Sequence, residues 1–298
     1  MHDMVAAPEV TGSFPLLGAE GKPRRVGVEV EFMGLSARSA ARALAHDLGG
    51  FIEVEDPHAF RVLGTRLGDL RVETDLRYTH PQRHPKLAIR LGARAAAWLG
   101  TLVSPLVPRE LVTAPLPIAR LSEVDEAIAS LRSAGASGRG AVALDSLSLH
   151  FNIDPPSLDA ATITAFLKAF LSAEERLRQE TAGRSLRLTR VLPPSYPIAY
   201  RDRVLAPDYW PDLRTLTADY LKLNPTRKRA FDLLPLLAYL DEKLVRQTLP
   251  HEKIGPRPVF HFRLPQAHVG DHNWSILQDW ERWVSVENLA LEQRALHL

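Results

Sequence analysis

Residues 25–33, RVGVEVEFM, alternate so that Val28, Val30 and Phe32 face one way and Glu29 and Glu31 the other, because strand side chains point to opposite faces in turn. Such a segment demands a sheet with one dry face and one polar face. Four further segments repeat the pattern. In 70–78, LRVETDLRY, Val72, Thr74 and Leu76 oppose Arg71, Glu73, Asp75 and Arg77. In 109–114, RELVTA, which runs out at Pro115 and Pro117, Glu110 and Val112 share a face. In 146–153, SLSLHFNI, Leu147, Leu149, Phe151 and Ile153 oppose Ser146, Ser148, His150 and Asn152, and in 258–264, PVFHFRL, Phe260 and Phe262 oppose Val259, His261 and Arg263. The polar face of an antiparallel sheet is commonly just solvated. Solvation alone favours Lys, Thr, Ser and Gln, and these five segments contain no Lys; their acidic, His, Asn and Arg face reads as a site.

Between the strands the spacing predicts amphipathic helices that would cover the dry side. They fall at 36–50 (N-cap Ser36, stopped by Gly49-Gly50), 85–102, 122–133 (opened by Ser122 and Asp125, closed by the Gly-rich 135–140) and 158–181 (cap Ser157). Helical patterning returns over 212–248, broken at Pro225 and Pro235, and from about Asn273 to the C-terminus. Residues 193–211 read as an irregular Pro-rich loop of the length that belongs to an active-site cover or an interface. The expected architecture is α+β: a curved, mainly antiparallel sheet with helices packed on one face, an N-terminal extension over 1–24 and a single domain over 25–298.

Composition then excludes whole classes of chemistry. With no Cys, disulfides, thiolate nucleophiles, zinc ribbons and iron-sulfur clusters are out, and a reducing compartment fits. The balance of 37 Lys+Arg against 35 Asp+Glu gives +2, too even to predict a nucleic-acid or membrane partner, so any anion site is local. No signal-peptide core and no run of about 18 apolar residues is present, which points to a cytoplasmic protein. The sequence lacks the P-loop, dinucleotide-binding, zincin and α/β-hydrolase motifs.

An acid-x-acid pair carries little by itself: 35 acids in 298 positions produce roughly four by chance, and five occur. Placement on a strand face singles out Glu29/Glu31 and Glu73/Asp75. Two carboxylates on one face repel unless a cation lies between them, and oxygen ligands favour Mg²⁺ or Mn²⁺ over zinc. His150 is either a ligand or phosphate donor, or a structural histidine. In NPTRKR (224–229), Arg227 and its neighbours offer an anion site if a helix begins there, and a solvated basic turn otherwise.

The order GVEVEF, VETDLRY, ELVTAPL, SLHFNI, DYLKLNP and FHFRLP across residues 25–265 resembles the amidoligase family, relatives of glutamine synthetase and glutamate-cysteine ligase. The resemblance implies a glutamine synthetase-like sheet and an ATP- and Mg²⁺-dependent carboxylate–amine ligase that forms an amide, of isopeptide type, through an acyl phosphate. Its substrates would be small-molecule or peptide carboxylates and amines. Glu29 and Glu31 match the first-strand metal pair and Glu110 a third acidic position; His150 and Asn152 match the His-containing strand that contacts nucleotide or metal. Asp75 sits beside the substrate region, Asn224 in an Asn-containing loop, and Arg263 where an Arg clamps phosphate or carboxylate. The last strand of such ligases reads Glu-x-Arg, whereas here it reads His261-Phe262-Arg263, which leaves the number of metals open. The alternatives are a metal-dependent hydrolase or phosphotransferase, or a relative that binds nucleotide without turning it over. Oligomeric state is left open.

Overall fold

The computed structural model describes residues 17–18, 21–74, 107–138, 147–183 and 192–297. The described residues form a mixed α+β structure built on an open nine-stranded sheet, and every strand pair among them is antiparallel. In chain order the strands are β1 (Arg25–Phe32), β2 (Phe51–Asp56), β3 (Ala59–Thr65), β4 (Gly68–Thr74), β5 (Arg109–Thr113), β6 (Leu116–Pro117), β7 (Leu149–Ile153), β8 (Phe231–Asp232) and β9 (Phe260–Phe262). Their spatial order is β2-β3-β4-β5-β1-β7-β9-β8, with β6 beside the start of β1. The first described strand thus lies in the middle of the sheet, flanked by partners that arrive much later.

The alternation read from the sequence is what buries: Val26, Val28, Val30 and Phe32 of β1 are fully buried, as are Leu149, Phe151 and Ile153 of β7. Three helices cover that face. The first, α1 (Ala37–Leu48), is capped by Ser36, whose side chain accepts from the Ser39 N–H, and packs Ala40, Ala41 and Leu44 onto β3 and β4. Gly50, at φ +94°, makes the turn into β2; a Cβ there would lie 2.4 Å from the Leu63 carbonyl oxygen, so only glycine fits.

The second and third are α3 (Ala160–Ala182) and α8 (Ile276–Ala295), which pack against each other and lay Phe166, Trp280 and Trp283 on the central strands. Phe166 meets Phe260 at 4.6 Å between ring centroids, Trp283 meets Phe262 at 5.3 Å and Trp280 meets Phe151 at 5.6 Å. Each such ring contributes about 1.5–3 kcal/mol by leaving water. Between α1 and α3 lies α2 (Val124–Ser133), against α1.

The structure departs from the sequence reading in several places. The β2–β3 hairpin was not expected; β2 is an exposed sheet edge on which Ile52 and Val54 alternate with Glu53 and Glu55. Residues 118–123 form a 3-10 turn before α2, and Asp125 does not cap α2: its carboxylate accepts from Ser275 Oγ at 2.5 Å and the Ile276 N–H at 3.1 Å, at the start of α8. Asp159, not Ser157, caps α3, since its carboxylate reaches the Thr162 N–H at 2.7 Å. Within the proline-rich 193–211 lies a helix, α4 (Ile198–Leu205), entered through Pro197 at φ −57°. After α5 (Leu213–Leu223), residues 224–230 form no helix, so the N-terminal anion site considered for Arg227 does not exist in that form. Pro235 does not break a helix but starts one, α6 (Leu234–Leu240), where a missing N–H costs nothing; α7 (Glu242–Thr248) follows. The helix expected at 85–102, together with Asp75, Leu76 and Arg77, lies outside the described residues.

Candidate active site

On the polar face, the register sets Glu29 of β1 opposite His150 of β7, Asn152 of β7 opposite His261 of β9, and His261 opposite Asp232 of β8. Four residues expected from the sequence to form the site therefore meet. The Glu29 carboxylate is gripped on both oxygens: Oε2 lies 2.9 Å from His150 Nδ1, and Oε1 accepts from Asn152 Nδ2 at 2.8 Å, with Arg257 Nη1 at 3.6 Å. The His150 and His261 rings meet edge to face, 5.2 Å between centroids. Glu29, His150 and His261 each present one metal-binding atom, all within 4.8 Å of one another.

The group is dry, and its electrostatics follow. Side-chain exposure is 15% at Glu29 and 10% at His150. Burial raises the Glu29 carboxyl, but the hydrogen bond and charge of His150, helped by His261 and Arg257, outweigh it and hold the group well below its ordinary value, as a carboxylate. Burial drives His261 well below the ordinary histidine range; Glu29 pulls the other way, while His150, Arg263 and Arg257 depress it further. Neither of the His261 ring nitrogens has a hydrogen-bond partner, nor has Asn152 Oδ1 or Arg263 Nε. Buried polar atoms are almost always paired, so four unpartnered atoms on these three residues make this stretch the candidate site.

The remaining expected residues make contacts of their own. Glu31, two positions along β1 and on the same face, accepts the Ser148 N–H at 2.7 Å. Across the strands it faces Glu110, and Glu110 faces Glu73, a row of three carboxylates in which Arg71 Nε stands 3.3 Å from Glu73. Arg263, one residue past β9, donates through Nη1 to the Arg227 carbonyl at 2.7 Å, so these two meet through backbone. Asn224 is fully buried; its Oδ1 accepts from Arg229 Nε, and Arg229 also donates to the Ser195 carbonyl at 2.6 Å. Asp75 lies outside the described residues.

Two members of the site escaped the sequence reading. Arg257 precedes the strand, between Pro256 and Pro258, yet counting back by twos from Arg263 and His261 would have placed it on their face. Asp232 sits on a two-residue strand too short to show any period; burial lifts its carboxyl to about 6, against the Leu234 N–H and Arg263, Arg227 and Arg257, which pull it down. Separately, a cavity of about 560 Å³ opens at the start of β1, lined among others by Lys22, Arg25, Asp154 and Tyr239.

An antiparallel sheet that concentrates carboxylate, imidazole and guanidinium on one desolvated stretch, under a face sealed by helices, defines an α+β protein with an enzyme-like polar centre. The chain matches the model of the family described as "Putative amidoligase enzyme" over residues 22–285 and belongs to that family, whose name points to a ligase that forms amide bonds between small substrates. The match runs from before β1 into α8 and contains every residue of the Glu29 group. No curated protein and no solved structure matches the chain. Among the described residues, no helix is long and apolar enough to cross a membrane.

Proposed function

We propose that the protein is an ATP-dependent carboxylate–amine ligase with a glutamine synthetase-like sheet, the polar face holding the nucleotide phosphates and the acyl group. The observation that carries this reading is the Glu29 carboxylate, kept ionised in a dry setting beside two histidines and Arg257, in a chain of the amidoligase family. The reaction moves the ATP γ-phosphoryl group to a substrate carboxylate, giving ADP and an acyl phosphate; an amine then attacks the acyl carbon, phosphate leaves, and the amine gives up a proton. No step requires a nucleophilic side chain, which a chain without Cys satisfies.

The chain's own groups orient and neutralise. Arg263 and Arg257 offer planar forks for a phosphate or a carboxylate, and His150 with Asn152 fixes both oxygens of Glu29. A bound magnesium ion would supply neutralisation of the charge on the transferred phosphoryl group. A hard ion that asks for oxygen suits Glu31 and Glu110, which face each other across β1 and β5. It suits His261 poorly.

The test is titration calorimetry of ATP with and without Mg²⁺, followed by a screen of carboxylates and amines for ADP release. Release that needs both an acid and an amine supports the ligase. Phosphate release without an amine replaces it by a hydrolase, and absence of nucleotide binding with any divalent ion removes the nucleotide site.

A further inference from the structure

The poor match between His261 and magnesium has its own consequence. We propose that Glu29, His150 and His261 form a binding site for a first-row transition dication, of the Mn²⁺, Co²⁺ and Zn²⁺ class, that discriminates against Mg²⁺. This names a cation for the site on which the ligase reading rests, and the two can fail separately.

Three observations carry it. The ligand atoms already converge within 4.8 Å without an ion, and Glu29 Oε2 and His150 Nδ1 lie 2.9 Å apart, the spacing of neighbouring ligands on bonds of about 2.1 Å at roughly a right angle. His261 is 5% exposed and both its nitrogens lack a partner. Leaving such a group unsatisfied is costly, and a bound ion removes that cost. Lastly, the donor set is two imidazoles and one carboxylate. Imidazole nitrogen favours transition ions, whereas Mg²⁺ demands an oxygen octahedron and gives up its water reluctantly.

The surroundings suit such a site. Asn152 and Arg257 hold Glu29 Oε1, which keeps Oε2 aimed at the two rings, the kind of outer support that ligating carboxylates receive. Three protein ligands leave further positions open to water or a substrate oxygen. Phe260 and Phe262, the neighbours of His261 on β9, are fully buried on the opposite face and lock the strand in place.

The experiment needs no nucleotide. Protein stripped with a chelator is titrated with Co²⁺, read by its visible absorption, and then challenged with Mg²⁺. The expected result is one equivalent of Co²⁺ with ligand-field bands, kept in a 100-fold excess of Mg²⁺ and displaced by Zn²⁺. His261→Ala should weaken Co²⁺ binding by more than about 100-fold, beyond the 10–100-fold that loss of an outer partner costs. His261→Glu should lower the Co²⁺/Mg²⁺ preference at least tenfold, with circular dichroism verifying its fold. Displacement of Co²⁺ by equimolar Mg²⁺, or no Co²⁺ binding to the native protein, overturns the proposal, whatever the variants do. ATP binding that persists in that case leaves the ligase reading intact.

Discussion

The outer strands β2–β4 and the central strands β1, β7 and β9 both carry charge on their polar residues, yet water treats the two regions differently. At the edge, Arg61 stands 3.3 Å from Glu53, 3.9 Å from Glu55 and 3.8 Å from Asp69, with every partner between 29% and 51% exposed. Solvent screens these pairs, and each contributes about 0–1 kcal/mol. In the centre, Glu29 and His150 are nearly dry, and His261 is left with unpaired nitrogens. The same alternation of residue types thus produces self-compensated solvation in one place and unspent binding capacity in the other. Charge on a strand face becomes a site only where neighbouring elements remove the water.

The contrast can be broken most sharply at the carboxylate itself. Glu29→Gln should lower amide formation by about 10³-fold, the order of loss seen when one charge-stabilising group is removed, while Glu53→Gln leaves kcat/KM unchanged. Equal effects at the two positions would end the distinction.

A similar gap is expected in stability. Arg24, just before β1, is 1% exposed and lies 2.6 Å from Glu287 of α8, itself 2% exposed. Arg24→Ala strands a buried carboxylate whose remaining donor is Trp283 Nε1 at 2.9 Å, at a cost of about 3–5 kcal/mol in urea unfolding. A loss under 1 kcal/mol would show that water reaches the centre after all.

Dryness behind the central strands also sets a pH dependence. Burial lifts Asp279 on α8 to about 6, against the pull of Arg282 and Trp274. A raised carboxyl favours folding below its unfolded value near 4 and loses that contribution as pH climbs through 6, amounting to about 3 kcal/mol by pH 8. Asp279→Asn should therefore gain stability relative to the native protein between pH 4 and pH 8, by up to that amount less what Arg282 loses. A flat difference across that range would mean the carboxylate is hydrated. The smallest effect belongs to the edge: Arg61→Ala should shift stability by under about 1 kcal/mol, and by less in high salt.

Legibility in the sequence follows the same line. β1, β5 and β7 could be read because each separates water from core, and that separation writes a period of two into the residues. The β2–β3 hairpin carries the same period, Ile52 and Val54 against Glu53 and Glu55 on β2 and buried Phe60 and Val62 on either side of Arg61 on β3, so its signal was present in the sequence and was not used. Glu29, His150, Asn152 and His261 were each placed on the polar face from pattern, and the register brought them together. Arg257 was hidden by its flanking prolines and Asp232 by the brevity of β8. Helix caps were legible at Ser36 but not at Asp125, whose partner is 151 residues away.

The central position of β1 also has a meaning for synthesis. Its neighbour β7 follows more than a hundred residues later, and β9, with His261, later still. At about 5–20 residues per second, translation leaves Glu29 without His261 for roughly 10–50 s. Until β7 and β9 are made, a nascent chain therefore carries β1 with one flank unpaired and the Glu29 group incomplete.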